Sequence, residues 1–217
     1  MSRTIYCISG LGADEKIFAN LRLNGYELRH IPWVRPAKNE SIETYASRLA
    51  LSIKEDNAIL LGVSFGGMVG IEIARQKSLQ KLILVSSIKS IEELPRWMKL
   101  AGKLKLNRFL PTRSFKFTEK IDNNRLGVST DHEREMVRAY RQSADRIYLE
   151  WAINEILNWK NDWVPDNVVH IHGENDKIFP ATKIKAAHIV KGASHMMVYN
   201  RAEEVSSFIS EILQGSC

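Results

Sequence analysis

Gly62-Val63-Ser64-Phe65-Gly66-Gly67 constrains this chain more than any other stretch. Before it, Asn57-Ala58-Ile59-Leu60-Leu61 is short and apolar, the pattern of a buried strand. After it, residues 68–75 read as a helix packed on a sheet. The chain must therefore turn sharply at Ser64, which is expected in a strained backbone conformation. Glycines at 62 and 66 remove side chains that would clash there, and Gly67 lets the helix start lie near other strands. The turn holds the Ser64 hydroxyl up beside a helix N-terminus, which favours developing negative charge. A plain glycine-rich turn would carry the same letters; the strand before and the helix after set this one apart.

The rest of the chain repeats that unit. Residues 4–8 read as a buried strand and Ser9-Gly10-Leu11-Gly12-Ala13-Asp14 as a loop, Asp14 capping a short helix through Phe18 and Leu21. A second strand covers 26–31, ended by Pro32; Ser41 caps a helix carrying Tyr45, Leu49 and Ile53. The strand before Ser64 is third, and residues 81–85 are fourth. The alternation then stops between about 90 and 163, where helices are expected around Leu94–Ala101, from Thr130 or Asp131, and over 148–157. It resumes with strands at 168–173 and 186–190 and a closing helix through Ile212. Strand–helix repeats imply a parallel sheet with right-handed crossovers. The expected fold is α/β, with a mostly parallel sheet of about six strands and helices on both faces. The expected division is a core of residues 1–89 and 164–217 interrupted by a helical cap at 90–163.

At 217 residues the chain can bury the core of one such domain, and 26% charged residues fit a folded, soluble-type surface. No apolar run approaches a membrane span. The N-terminal residues lead straight into a strand, so no signal peptide is expected; with only Cys7 and Cys217, no disulfide is expected either, and a cytoplasmic location is the natural reading. The sequence says little about oligomeric state. The net charge is +6, and residues 89–125 hold ten basic and four acidic residues, an excess as large as the whole chain's. Such a patch can attract acidic substrates, membranes or nucleic acid, or be a solvated helical surface; no nucleic-acid motif accompanies it.

A serine hydroxyl needs a base within hydrogen-bond reach, and the base needs an orienting acid. Asp176 follows the fifth strand and His195 the sixth, both at the sheet edge that carries Ser64. Open α/β sheets bind ligands along that edge. Glu174 is the rival acid. Donors for an oxyanion are expected from the backbone N–H of Phe65 and of Leu11. Trp97, Phe109, Tyr148 and Trp151 either line an apolar pocket or form the core of the 90–163 segment. His170 and His172 share one strand face, a spacing open to a metal, but no further His or Cys follows at metal-site spacing.

Three motifs together resemble the α/β-hydrolase family over nearly the whole chain: the Ser64 turn, His172-Gly173-Glu174-Asn175-Asp176-Lys177-Ile178-Phe179-Pro180, and Gly192-Ala193-Ser194-His195-Met196-Met197. The resemblance implies a Ser64–His195–Asp176 triad, a cap after the fourth strand, and no cofactor. With those residues the expected activity is that of a serine hydrolase on a small carboxylic ester or thioester. Acyl transfer, C–C hydrolysis and lyase chemistry could use the same residues, and a non-catalytic ligand-binding protein could keep the fold. Three features depart from the family pattern. Ser9-Gly10 stands where many members have His-Gly, leaving that loop's hydrogen bonding open. Val63 replaces a larger or polar residue, and the usual first two strands are missing.

Overall fold

The computed structural model describes residues 3–106 and 116–215. Six strands form one sheet: β1 (Arg3–Ile8), β2 (Tyr26–His30), β3 (Ala58–Val63), β4 (Leu79–Val85), β5 (Val168–Gly173) and β6 (His188–Val190). Their order is β2-β1-β3-β4-β5-β6, and every neighbouring pair is parallel. All the C-terminal ends therefore open onto one edge. After β1 the chain adds β2 on one side and β3 on the other, so the winding reverses between β1 and β3. A crevice opens where two crossovers diverge in this way.

Strand residues alternate between two cores. Tyr6, Ile8, Leu60, Leu82 and Leu84 pack under α1 (Ile42–Ala50) and α2 (Phe65–Gln76). Ile5, Cys7, Leu61, Ile83 and Ile171 face the opposite side. Four helices lie between β4 and β5 among the described residues: α3 (Arg96–Lys103), α4 (Lys116–Leu126), α5 (Asp131–Ser143) and α6 (Arg146–Asn158). Then come α7 (Met197–Asn200) and α8 (Ala202–Leu213), with Val205, Ile209 and Ile212 buried in the second core. Burial pushes the Cys7 thiol far up from its ordinary value, so it stays a protonated packing group.

Several boundaries differ from the sequence reading. Ser41 and Asp14 do cap as expected, accepting from the N–H groups of Thr44 and Lys16. The Asp14 turn, however, is a single 3₁₀ turn, Glu15–Phe18, that stops short of Leu21. Helix α2 starts at Phe65, directly after Ser64, three residues earlier than its apolar periodicity suggests. β6 is shorter than expected because Ala186 takes a left-handed φ of 44°, which ends regular pairing. Thr130 rather than Asp131 caps α5, with Glu133 completing a capping box. Helix α4 had no sequence forecast: its sequence is mostly polar and gives no apolar stripe. Phe109 and Cys217 lie outside the described residues.

Candidate active site

The β3–α2 turn sets the geometry. Ser64 has φ 53° and ψ −120°, a sparsely populated conformation costing on the order of 1–3 kcal/mol. The backbone on both sides fixes it: Ser64 N–H donates to Val85 O at 3.0 Å, and Ser64 O accepts from Gly67 N at 2.9 Å and Ser87 Oγ at 2.6 Å. Glycine is required by close approach. A Cβ on Gly62 would stand 2.6 Å from Gly66 O, and one on Gly66 would stand 2.3 Å from Ser9 O.

Ser64, His195 and Asp176 form a continuous hydrogen-bonded array. His195 Nε2 lies 2.9 Å from Ser64 Oγ, and His195 Nδ1 lies 2.7 Å from Asp176 Oδ2. A carboxylate only accepts, so Nδ1 carries the proton and Nε2 is bare toward the serine hydroxyl. Asp176 is held in turn by the N–H groups of Ile178 and Phe179, both to Oδ1, at 2.8 and 2.9 Å. Burial works against its charge, and His195, His172 and the Phe179 N–H more than offset that, leaving the carboxyl below the usual aspartate range. Glu174 turns away; its Oε2 accepts from Gly192 N at 2.8 Å.

The two strand histidines stand behind the acid. His172 Nε2 lies 2.7 Å from the Phe179 carbonyl and 3.5 Å from Asp176 Oδ2. A carbonyl requires a donor, so Nε2 is protonated and Nδ1 accepts from His170 Nε2 at 3.2 Å. Burial lowers the pKa of both rings, keeping them neutral. The pair therefore braces the acid loop. The β5 alternation places both rings on one face, but only the fold brings Phe179 back over them.

The β1 loop meets the serine directly, a Cβ on Gly10 standing 3.4 Å from Ser64 Cβ. Ser9 Oγ donates to Ala13 O at 2.7 Å and lies 3.3 Å from His30 Nε2, while Trp33 Nε1 donates to Gly10 O at 3.1 Å. These contacts supply the hydrogen bonding that the Ser9-Gly10 departure left open. They also hold Leu11 at the cavity wall. Phe65 begins α2, so its N–H belongs to the helix end that has no acceptor within the helix.

Above the array lies a cavity of about 450 Å³ lined by Ser64 and His195. Its wall is mostly apolar: Met98 from α3, Val137 and Tyr140 from α5, and Leu149, Ile153 and Leu157 from α6. Trp97 reaches it, whereas Tyr148 and Trp151 do not line it. Those two make tilted or edge-on ring contacts with Trp33, Tyr45 and Phe65, and Trp151 Nε1 donates to Glu40 O at 2.7 Å, so Tyr148 serves as core and Trp151 packs half-buried against it. Arg125 and Arg141 also line the cavity, a feature that helix periodicity in α4 and α5 did not reveal. A second, more polar groove lies beyond the acid loop, between Asn124, Lys177, Ser194 and Arg201. Neither Ser64 nor His195 lines it, so of these two spaces the apolar cavity is the one that meets the serine.

A family model described as the alpha/beta hydrolase family matches residues 11–208. Solved structures with the same fold include an esterase from Thermogutta terrifontis, 18% identical, TM-score 0.71, covering 99% of this chain and 90% of that one. A hydrolase from Pseudomonas aeruginosa is 14% identical, with a TM-score of 0.75 and coverage of 98% and 90%. An enol-lactonase from Burkholderia xenovorans is 17% identical, with a TM-score of 0.68 and coverage of 99% and 92%. Among curated proteins, no sequence relative matches. At these identities the structural likeness establishes the fold.

Proposed function

The chain belongs to the alpha/beta hydrolase family, and we propose that it is a serine hydrolase cleaving carboxylic esters or thioesters with an apolar acyl group. The observation that carries this reading is the Ser64–His195–Asp176 array with its tautomer fixed for proton transfer. Ser64 Oγ attacks the carbonyl carbon while its proton passes to His195 Nε2. The resulting imidazolium is stabilised by Asp176 through Nδ1–H. The tetrahedral oxyanion is held by the N–H groups of Phe65 and Leu11, and loss of one such donor costs about 3–4 kcal/mol of barrier. His195 then protonates the leaving group, and an acyl-enzyme remains on Ser64. Water, deprotonated by His195, releases the acid and restores the serine.

The apolar cavity wall supports the acyl side of the reading. A lactone is a cyclic ester, so the esterase and the enol-lactonase among the neighbours are compatible with the same bond class. Residues 90–163 are read as the cap that selects the acyl group, because α3, α5 and α6 supply most of that wall. The test is a panel of p-nitrophenyl esters and acyl-CoA thioesters, with Ser64→Ala as the blank, alongside labelling by a fluorophosphonate. One label per chain at Ser64 and turnover lost in Ser64→Ala are the expected results. Labelling that persists in Ser64→Ala would sink the reading.

A further inference from the structure

Helix α3 hides only part of its apolar surface. Met98, Ala101 and Gly102 are buried, and α3 lies so close to α6 that a Cβ on Gly102 would stand 2.3 Å from Leu157 O. Trp97, Leu100 and Leu104 follow at i, i+3 and i+7, so they share a neighbouring stripe. That stripe faces solvent: Trp97 is 57% exposed, Leu100 55% and Leu104 55%, with Leu106 just beyond at 43%. Large apolar side chains clustered in water this way mark an interaction surface. On the far side of the stripe, Arg96, Lys99 and Lys103 form a cationic flank, with Lys105 after the helix. None of the four closes an ion pair or a side-chain hydrogen bond among the described residues. Glu92, whose field reaches Lys99, is bonded instead to Lys185.

We propose that α3 docks the protein on an anionic lipid bilayer. Trp97, Leu100 and Leu104 seat at the boundary between headgroups and acyl chains, and Arg96, Lys99 and Lys103 meet anionic headgroups. Charge decides against the other occupants. A two-fold pairing of α3 with a second copy sets the same four cations against one another. The sequence that follows adds Arg108, Arg113 and Lys116 and no acid, so it brings like charge rather than neutralisation. Nucleic acid matches the cations but leaves the Trp–Leu stripe in water. Trp97 also lines the cavity above Ser64, so docking on α3 would set that cavity's rim at the lipid surface. The value of this for turnover, delivery of a lipid-borne ester, rests on the serine-hydrolase reading; the docking itself does not.

The test is co-sedimentation of the full chain, as Ser64→Ala, with vesicles of pure phosphatidylcholine and vesicles about one-third phosphatidylglycerol. Binding is expected to the anionic vesicles and to fall as salt rises. The double variants Leu100→Ser/Leu104→Ser and Lys99→Gln/Lys103→Gln are each expected to weaken it at least about tenfold. Both should keep the parent melting temperature, since Leu100, Lys103 and Leu104 are exposed, Lys99 is half-buried, and neither lysine closes an ion pair among the described residues. No binding to the anionic vesicles overturns the proposal. Binding that survives the leucine change reduces the contact to bare charge attraction and overturns it as well. So does self-association, seen by light scattering, that the leucine change abolishes while vesicle binding persists. Because Ser64 is absent from the tested protein, the outcome is independent of whether the serine is a nucleophile.

Discussion

At the scale of single residues, the site depends on which carboxylate faces His195. Asp176 lies 2.7 Å from Nδ1, whereas Glu174 is spent on the Gly192 N–H. Asn in place of Asp176 keeps the size but can present an N–H to Nδ1 and settle the imidazole in the wrong tautomer. A comparable change in a serine protease costs about 10⁴ in kcat. Asp176→Asn is therefore expected to lower kcat by at least about 10² on the best ester, and Glu174→Gln to leave it within about threefold. Steady-state kinetics of the two variants side by side check this, and the reverse pattern would reassign the acid. The same carboxyl links stability to pH. Its pKa lies below the ordinary aspartate value, so its contribution is intact above that value and is lost as pH falls through the lower folded one. Melting curves below about pH 4 should then show the parent losing stability more steeply than Asp176→Asn.

At the scale of elements, the β3–α2 turn and the cap of α5 carry separate tasks. Ser64's strained φ persists because Gly62 and Gly66 let β1, β3 and α2 close on it. In Gly66→Ala the new Cβ would meet the Ser9 and Ile8 carbonyls, backbone atoms that cannot swing aside. A loss of at least about 2 kcal/mol in urea unfolding is expected, together with reduced fluorophosphonate labelling as β1 is pushed from Ser64. Helix α5 is different. Thr130 Oγ1 accepts from Glu133 N, and Glu133 Oε2 accepts from Thr130 N, so Thr130→Ala should cost about 1 kcal/mol. Kinetics on a short ester should not change, since Thr130 does not line the apolar cavity.

At the scale of the molecule, three chain segments far apart in sequence meet at the open edge of the sheet, and residues of α3, α5 and α6 line the cavity they face. Helix α6 carries two kinds of aromatic and aliphatic side chain. Ile153 lines the cavity, so Ile153→Trp should shift the preferred acyl chain to shorter lengths across a p-nitrophenyl ester series. Trp151 packs half-buried against Tyr45 and Phe65 instead, so Trp151→Ala should cost about 2–3 kcal/mol in denaturant unfolding, less than a fully buried aromatic, with the length preference retained. An unshifted preference in Ile153→Trp would place the acyl group elsewhere.

Much of this was legible in the residue order, because its causes are local. Apolar runs of strand length, the glycines around Ser64 and caps such as Ser41 and Asp14 report backbone preferences that need only neighbouring residues. The parallel sheet follows from strands alternating with helices. The place of Ser64, Asp176 and His195 at strand ends follows from the same alternation. What the tertiary structure alone decided are contacts between segments distant in sequence. No periodicity shows that Ser9 Oγ bonds Ala13 and faces His30, or that Phe179 O returns to His172. Tyr148, Trp151 and Trp97 are alike as aromatics in the letters, and only packing buries the first, lays the second half-buried against the core and leaves the third at the cavity rim. Helix α4 carries no apolar stripe, so its letters do not mark it as a helix. Burial is a property of what folds against a residue, and that neighbour is set by the whole chain.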